Sequence, residues 1–213
     1  MATETDETSF AAIEHALKRA AAALREAGVP FLLGGSLASW ARGGPETRHD
    51  LDLMIKPEDL EPALTALEQA GMETERPPEE WLAKAWDGDV LVDLIYHPKG
   101  LEITDEVIAR GEALSVLSMD VRVMALEDVM TTKLMALTEH SLRYESLLQI
   151  ARALREQIDW AEVRRRTLQS PFARAFFVLL EGLEILPDQS EPADAPERRD
   201  TRVRVLTPHQ RAG

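Results

Sequence analysis

Two aspartates one residue apart, Asp50 and Asp52, stand in a segment, 50–55, that alternates strictly between the two faces of a strand. Leu51, Leu53 and Ile55 share one face; Asp50, Asp52 and Met54 share the other. Two carboxylates projecting the same way a few ångströms apart repel each other unless a cation lies between them. Hard cations such as Mg²⁺ take oxygen ligands, usually one or two carboxylates plus the phosphates of a substrate. The pair reads either as half of a metal centre or as the solvated face of an edge strand. A third carboxylate, Asp93, lies inside residues 90–96, where the neighbours are apolar. An unpartnered buried carboxylate is costly, so Asp93 either faces a cleft beside a metal or pairs with a base in the core. The run Leu33-Gly34-Gly35-Ser36 adds a glycine turn between a predicted strand and a predicted helix. Glycines allow the backbone close to a phosphate, and the Ser36 hydroxyl supplies one more polar group.

Together these are the parts of a metal-dependent phosphoryl or nucleotidyl transfer site. In such chemistry Mg²⁺ (or Mn²⁺) neutralises the leaving pyrophosphate and lowers the pKa of the attacking hydroxyl, and Asp93 is placed to be the base for that hydroxyl. Lys133 joins the set as a lysine within an apolar helical stripe of Val129, Met130, Leu134 and Leu137. It either snorkels out of the core or reaches into the acidic cleft to contact a triphosphate.

Gly34-Gly35-Ser36, then thirteen residues, then Asp50-Leu51-Asp52, then Asp93, resembles the polymerase-β-like nucleotidyltransferase superfamily over residues 28–97. The resemblance implies an α/β (α+β) fold, a small mixed β-sheet flanked by helices. It also implies Mg²⁺, a nucleoside triphosphate substrate and transfer of a nucleoside monophosphate to an acceptor hydroxyl, on RNA or tRNA ends, a protein or a small molecule. Asp50, Asp52 and Asp93 would be the catalytic and metal-binding residues; Gly34, Gly35, Ser36 and Lys133 would bind nucleotide. A narrower resemblance, to toxins of the AbiEii and MenT kind, rests on Met130-Thr131-Thr132-Lys133-Leu134. Arg143-Tyr144-Glu145-Ser146 carries the arginine of the segment that follows in those toxins, without its Lys-Asp pair. The whole chain is also similar to uncharacterised actinobacterial proteins of the nucleotidyltransferase class. The alternative function is a catalytically inactive nucleotide-binding or toxin–antitoxin-associated protein of the same fold.

The elements that must position these residues follow from periodicity. Residues 1–7 read as a disordered leader and 9–27 as a helix stopped by Gly28; Phe31, Leu32 and Leu33 form a strand, and 37–42 a short helix broken by Gly43-Gly44-Pro45. Pro57 opens a helix with Leu60, Leu64, Leu67 and Ala70 as its stripe. Residues 72–89 mix an edge strand with a loop holding Trp81 and Trp86, 90–96 form a central strand, and 114–123 one more strand or a strand with a bulge. From Leu126 only helices follow: 126–139, 144–157, 159–169 and 171–186, with Asp159 and Glu162 as a capping box and Ser170-Pro171 as a cap. The expected organisation is a nucleotidyltransferase-like core over 9–124, a helical region packed on it over 125–186, and a disordered tail over 187–213 rich in Pro, Glu, Asp and Arg.

The absence of cysteine excludes a disulfide scaffold, a thiolate metal site and a cysteine nucleophile. No apolar run approaches a membrane span, and the acidic start MATETDETSF is neither signal nor transit peptide, so a cytoplasmic location is expected. A net charge of −14 argues against general DNA binding. Arg164-Arg165-Arg166 reads as a solvated face and the best local patch for RNA, Arg42 and Arg48 as surface, and Trp81 and Trp86 as core or edge packing. His49 reads as structural at the strand start, and His97 and His140 as isolated.

Overall fold

The computed structural model describes residues 4–46 and 51–187, with side chains from Phe10 onward. Seven strands form one mixed sheet: β1 (Phe31–Leu33), β2 (Leu51–Ile55), β3 (Glu73–Glu75), β4 (Leu82–Asp87), β5 (Val90–Ile95), β6 (Glu112–Val116) and β7 (Met119–Val123). Their order is β3-β4-β5-β2-β1-β7-β6. β2 sits at the centre, antiparallel to β1 and parallel to β5, while β1 runs parallel to β7. The alternation read from residues 50–55 is realised over its described part, since Leu51, Leu53 and Ile55 are fully buried on one face.

The helices are α1 (Glu4–Glu26), α2 (Gly35–Trp40), α3 (Leu60–Gln69), α4 (Asp105–Ala109), α5 (Leu126–Met135), α6 (Tyr144–Leu154), α7 (Trp160–Thr167) and α8 (Pro171–Gly182). α1 packs on α3 and on β5. Leu17, Leu24, Leu67, Leu53 and Leu94 belong to the apolar cluster that results. A second cluster joins α5 to α6, α7 and α8 through Met130, Leu134, Leu147, Ile150, Val163, Phe176 and Phe177. α5 serves both clusters: Val129 belongs to the first, while Leu126, Met130 and Leu134 belong to the second. The single stripe expected from the sequence is thus split between two neighbours, and α5 becomes the wedge joining sheet and bundle.

Several expectations are corrected. α1 begins at Glu4, so part of the expected leader is helical; this extension lacks the apolar periodicity by which a sequence announces a helix. Trp86 lies in β4 rather than in a loop. Residues 114–123 belong to a hairpin, β6–β7, turned by Leu117 and Ser118 with φ of 50° and 59°. Both central residues of such a turn need positive φ, which usually means Asn or Gly, so Leu-Ser gave no turn signal. α4 was not read at all, and α5 ends at Met135, before the Thr138–Ser141 bridge. The expected tail, beyond Pro187, lies outside the described residues. No described helix is long and apolar enough to cross a membrane.

At α7 the capping reading is half realised. The Asp159 carboxylate accepts from the Glu162 backbone N–H at 3.0 Å, but the Asp159 N–H donates to Glu127 Oε1 at 2.9 Å instead of to Glu162. Asp159→Ala is expected to lower stability by about 1 kcal/mol, the usual effect of losing an N-cap, measured by urea denaturation; no change would mean that the Glu127 contact alone holds this end of α7.

Candidate active site

β1 runs into the glycine turn, and the turn is locked to β2. The Gly34 N–H donates to the Asp52 carbonyl at 2.8 Å, continuing the β1–β2 ladder by one step. Gly35 then adopts φ +57° and opens α2. A Cβ on Gly35 would lie 1.6 Å from Asp52 Oδ2, and one on Gly34 would lie 2.6 Å from Met54 Cε. Gly35 is therefore required by the Asp52 side chain and by its positive φ, while Gly34 packs under the mobile end of Met54. The Asp52 carboxylate lies directly against the Gly35 backbone.

Across the sheet, Asp52 is the register partner of Asp93 on parallel β5, and Asp93 is the register partner of Lys84 on antiparallel β4. Register partners on adjacent strands project to the same face at the inter-strand spacing of about 5 Å. Asp52 and Asp93 are thus side by side, both half-buried, with Lys84 beyond them. Asp50, with Arg48 and His49, lies outside the described residues. Among the described residues no group of three or more His, Asp or Glu forms a metal cluster. The donor set that is described, two carboxylates at register on a face they share, has the hard oxygen chemistry suited to Mg²⁺ or Mn²⁺.

Lys133 enters from the opposite side. Its ammonium donates to Ser36 Oγ at 3.1 Å, tying α5 to α2. Burial pulls its pKa below the ordinary lysine value, and the nearby Asp52 charge opposes that shift. Its side chain turns inward and lines a cavity of about 340 Å³ with Gly35 and Asp52. The structure therefore gathers Gly34, Gly35, Ser36, Asp52, Asp93 and Lys133 around one region, with Asp50 outside the description.

The same cavity is lined by Met54, Trp81, Ile95, His97, Lys99 and Thr132. His97 and Lys99 carry no site signal in the sequence, and Trp81 offers base stacking only as the lesser alternative to packing. Trp81 is 42% exposed at the rim, and its carbonyl accepts from the N–H groups of both Tyr96 and His97. The missed signal was positional: residues just past the carboxyl end of a central strand line the crevice of an α/β sheet, and 96–99 follow the strand that carries Asp93.

The arginines depart from expectation. Arg42 is not solvated; its side chain is 9% exposed and donates to the carbonyls of Ala38 and Val123 at 3.4 and 3.3 Å. Burial lowers its pKa, against the pull of Glu112 and Glu127. Of the Arg164-Arg165-Arg166 run, Arg165 is solvated as expected, while Arg164 and Arg166 are drawn inward. Arg164 pairs with Glu181 and lies over the Phe177 ring, Arg165 pairs with Glu162, and Arg166 pairs with buried Asp128. The acids facing Arg164 and Arg166 lie on α8 and α5, beyond the reach of a local charge count, whereas Glu162 is one turn from Arg165 on α7. His140 is exposed beside Glu139.

Two substitutions follow from this geometry. Gly35→Ala adds a left-handed strain of about 1–2 kcal/mol and a steric clash of about 1–3 kcal/mol, so the melting temperature should fall markedly; an unchanged value would mean that Asp52 moves aside freely. Lys133→Met keeps the stem and removes a desolvated charge, so stability at neutral pH should be equal or higher. The sign in alkali follows from the lowered folded pKa: the unfolded chain binds the proton more tightly, so wild-type stability rises with pH from that lowered value up to the ordinary 10.5. Lys133→Met should lack this rise in a pH series of denaturation curves, and an identical slope in both proteins would contradict the buried-cation geometry.

Comparison with known proteins agrees with this architecture. No curated protein matches the chain significantly. Among solved structures, the crystal structure of ANT(2″)-Ia in complex with adenylyl-2″-tobramycin superposes with a TM-score of 0.55 at 18% identity, covering 78% of this chain and 97% of that one. The solution structure of the antibiotic-resistance factor ANT(2″)-Ia gives 0.54 at 20% identity, covering 84% and 98%. These likenesses show the fold, a mixed sheet flanked by helices with a helical part after it. The family model described as uncharacterised nucleotidyltransferase matches residues 3–185, which takes in the glycine turn, the β2 and β5 aspartates and the α5 lysine together. The chain therefore belongs to this nucleotidyltransferase family and is an enzyme of that class.

Proposed function

We propose that the enzyme transfers a nucleoside monophosphate from a nucleoside triphosphate to an acceptor hydroxyl, with Mg²⁺ or Mn²⁺ held by Asp50, Asp52 and Asp93. The observation that carries this reading is the register pairing of Asp52 with Asp93 against the Gly35 backbone. Two like charges at that spacing are stabilised by a cation between them. When bound, the metal supplies Lewis-acid polarisation of the phosphates and eases ionisation of the acceptor.

The chain's own groups have distinct tasks. The backbone at residues 34–36 and the Ser36 hydroxyl receive the triphosphate, which only side-chain-free glycines let approach so closely. Lys133 neutralises charge on the β- and γ-phosphates as pyrophosphate leaves. Asp93 accepts the proton of the acceptor hydroxyl. That oxygen forms a bond to the α-phosphorus while the bond from the α-phosphorus to the bridging oxygen breaks, releasing pyrophosphate with the electron pair. The cavity rimmed by Trp81, His97 and Lys99 receives the nucleoside end of the substrate. In this reading residues 9–124 form the nucleotide-binding core and 125–186 the helical region, with α5 delivering Lys133 between them.

The test is incubation of the full chain with Mg²⁺ and each α-labelled nucleoside triphosphate, with total RNA, a protein extract or a small polyol such as tobramycin as acceptor. ANT(2″)-Ia, which shares the fold, is described with adenylyl-2″-tobramycin, so tobramycin is a direct probe of a small-molecule acceptor. Label should move to one acceptor class. Asp93→Asn should reduce transfer by roughly 10²–10⁴-fold, the range for loss of a general base, with circular dichroism unchanged. Full activity in Asp93→Asn would remove Asp93 from the chemistry; absence of both nucleotide binding and transfer in the wild type would overturn the function.

A further inference from the structure

Among the described residues, Asp128 is the charged side chain that is fully buried. Its carboxylate takes a two-pronged grip from Arg110, with Nε on Oδ2 at 2.8 Å and Nη2 on Oδ1 at 2.7 Å, and a third contact from Arg166 Nη1 at 2.8 Å. Arg110 is the C-cap of α4 in the sheet part, Arg166 lies on α7 in the bundle, and Asp128 is in the first turn of α5. Three elements far apart in sequence therefore meet at one carboxylate. A buried ion cluster of this kind adds little stability over apolar packing of the same volume. What the planar Arg110 fork adds is orientation, because it fixes the carboxylate plane as well as its position, and Arg166 ties the same carboxylate to α7.

The helix so oriented is the one that carries Lys133. Lys133 follows Asp128 by five residues, which on an α-helix is roughly 140° around the axis and about 7.5 Å along it. The clamp grips one side of α5 while Lys133 projects from a well-separated side toward Ser36 and Asp52. A long side chain held in a desolvated cleft tolerates little error in the helix beneath it, since displacements near 1 Å at a reacting centre are costly. We propose that Asp128 is a positioning residue for nucleotide binding: with Arg110 and Arg166 it sets the depth and rotation of α5, so that Lys133 meets Ser36 and the triphosphate. The inference rests on the reading of Lys133 as a triphosphate contact. It gives the buried cluster a task in the binding step beyond holding the fold together.

A double-mutant cycle on the full chain tests it. The probe is whichever of ATP, CTP, GTP and UTP binds most tightly with Mg²⁺, titrated by calorimetry. Asp128→Asn should weaken binding by roughly threefold to thirtyfold, the span of mutations that act through a packed network. The Glu127–Asp159 contact still joins α5 to α7 in this variant, and circular dichroism should match the wild type. In the Lys133→Met background, Asp128→Asn should change affinity by less than about twofold, because the group being positioned is gone. Equal weakening in both backgrounds, or no weakening in the wild-type background, overturns the proposal while leaving Lys133 in the site. If Lys133→Met itself binds nucleotide as well as the wild type, the triphosphate reading fails, and the positioning role falls with it. Should Asp128→Asn not fold, Arg110→Met removes one arm from the partly exposed side of the clamp. Its effect should likewise vanish in the Lys133→Met background, and an effect that persists there counts against the proposal.

Discussion

The contact on which the site depends is that between the Gly35 backbone and the Asp52 carboxylate. It requires a residue without a side chain at position 35, held at positive φ. It sits at the end of the antiparallel β1–β2 ladder, which the neighbouring Gly34 N–H extends onto the Asp52 carbonyl. From that point the rest is propagated by register. β2 aligns Asp52 with Asp93 on β5, β5 aligns Asp93 with Lys84 on β4, and α2 starts from Gly35 itself. A slip of one residue along β2 would turn Asp52 toward the buried face and Leu53 or Leu51 toward the cleft. The apolar face of β2 therefore enforces the geometry of the polar one: burial of Leu51, Leu53 and Ile55 holds the carboxylate where the turn needs it.

The second constraint is electrostatic. Lys133 is desolvated by its surroundings, and the Asp52 charge only opposes that effect. Its hydrogen-bond partner in the cleft is the Ser36 hydroxyl, a neutral acceptor. A cation kept in such a place is poorly solvated, and an anion bound beside it would relieve that cost. The cost is met by packing elsewhere, since α5 is anchored in two apolar clusters and by the Arg110–Asp128–Arg166 cluster. The arginines of α7 and Arg42 are engaged by acids, carbonyls and an aromatic ring.

How much of this was legible in the sequence follows from what each residue signals locally. The glycine turn, the alternating strand with Asp52 and the apolar strand with Asp93 were readable because period-2 patterning and glycine placement are properties of a few adjacent residues. The register that makes Asp52 and Asp93 neighbours was not readable, because pairing is decided by the sheet as a whole. Lys133 was visible as an anomaly in an apolar stripe, but its direction depended on α5 lying between two clusters. The Leu117-Ser118 turn was hidden because its residues carry none of the usual turn chemistry. His97 and Lys99 were missed because they join the cavity only when the β4–β5 pair returns to the sheet, and Asp128 because its partners lie on α4 and α7.

The most direct measurement is an anomalous-scattering crystal structure of the full chain with Mn²⁺ and a non-hydrolysable nucleoside triphosphate. The account predicts a Mn²⁺ peak ligated by both Asp52 and Asp93, with the phosphates on the backbone of residues 34–36 and the Lys133 ammonium on a phosphate oxygen. Nucleotide bound elsewhere, or Mn²⁺ away from Asp52 and Asp93 with the triphosphate absent from the glycine turn, would contradict it.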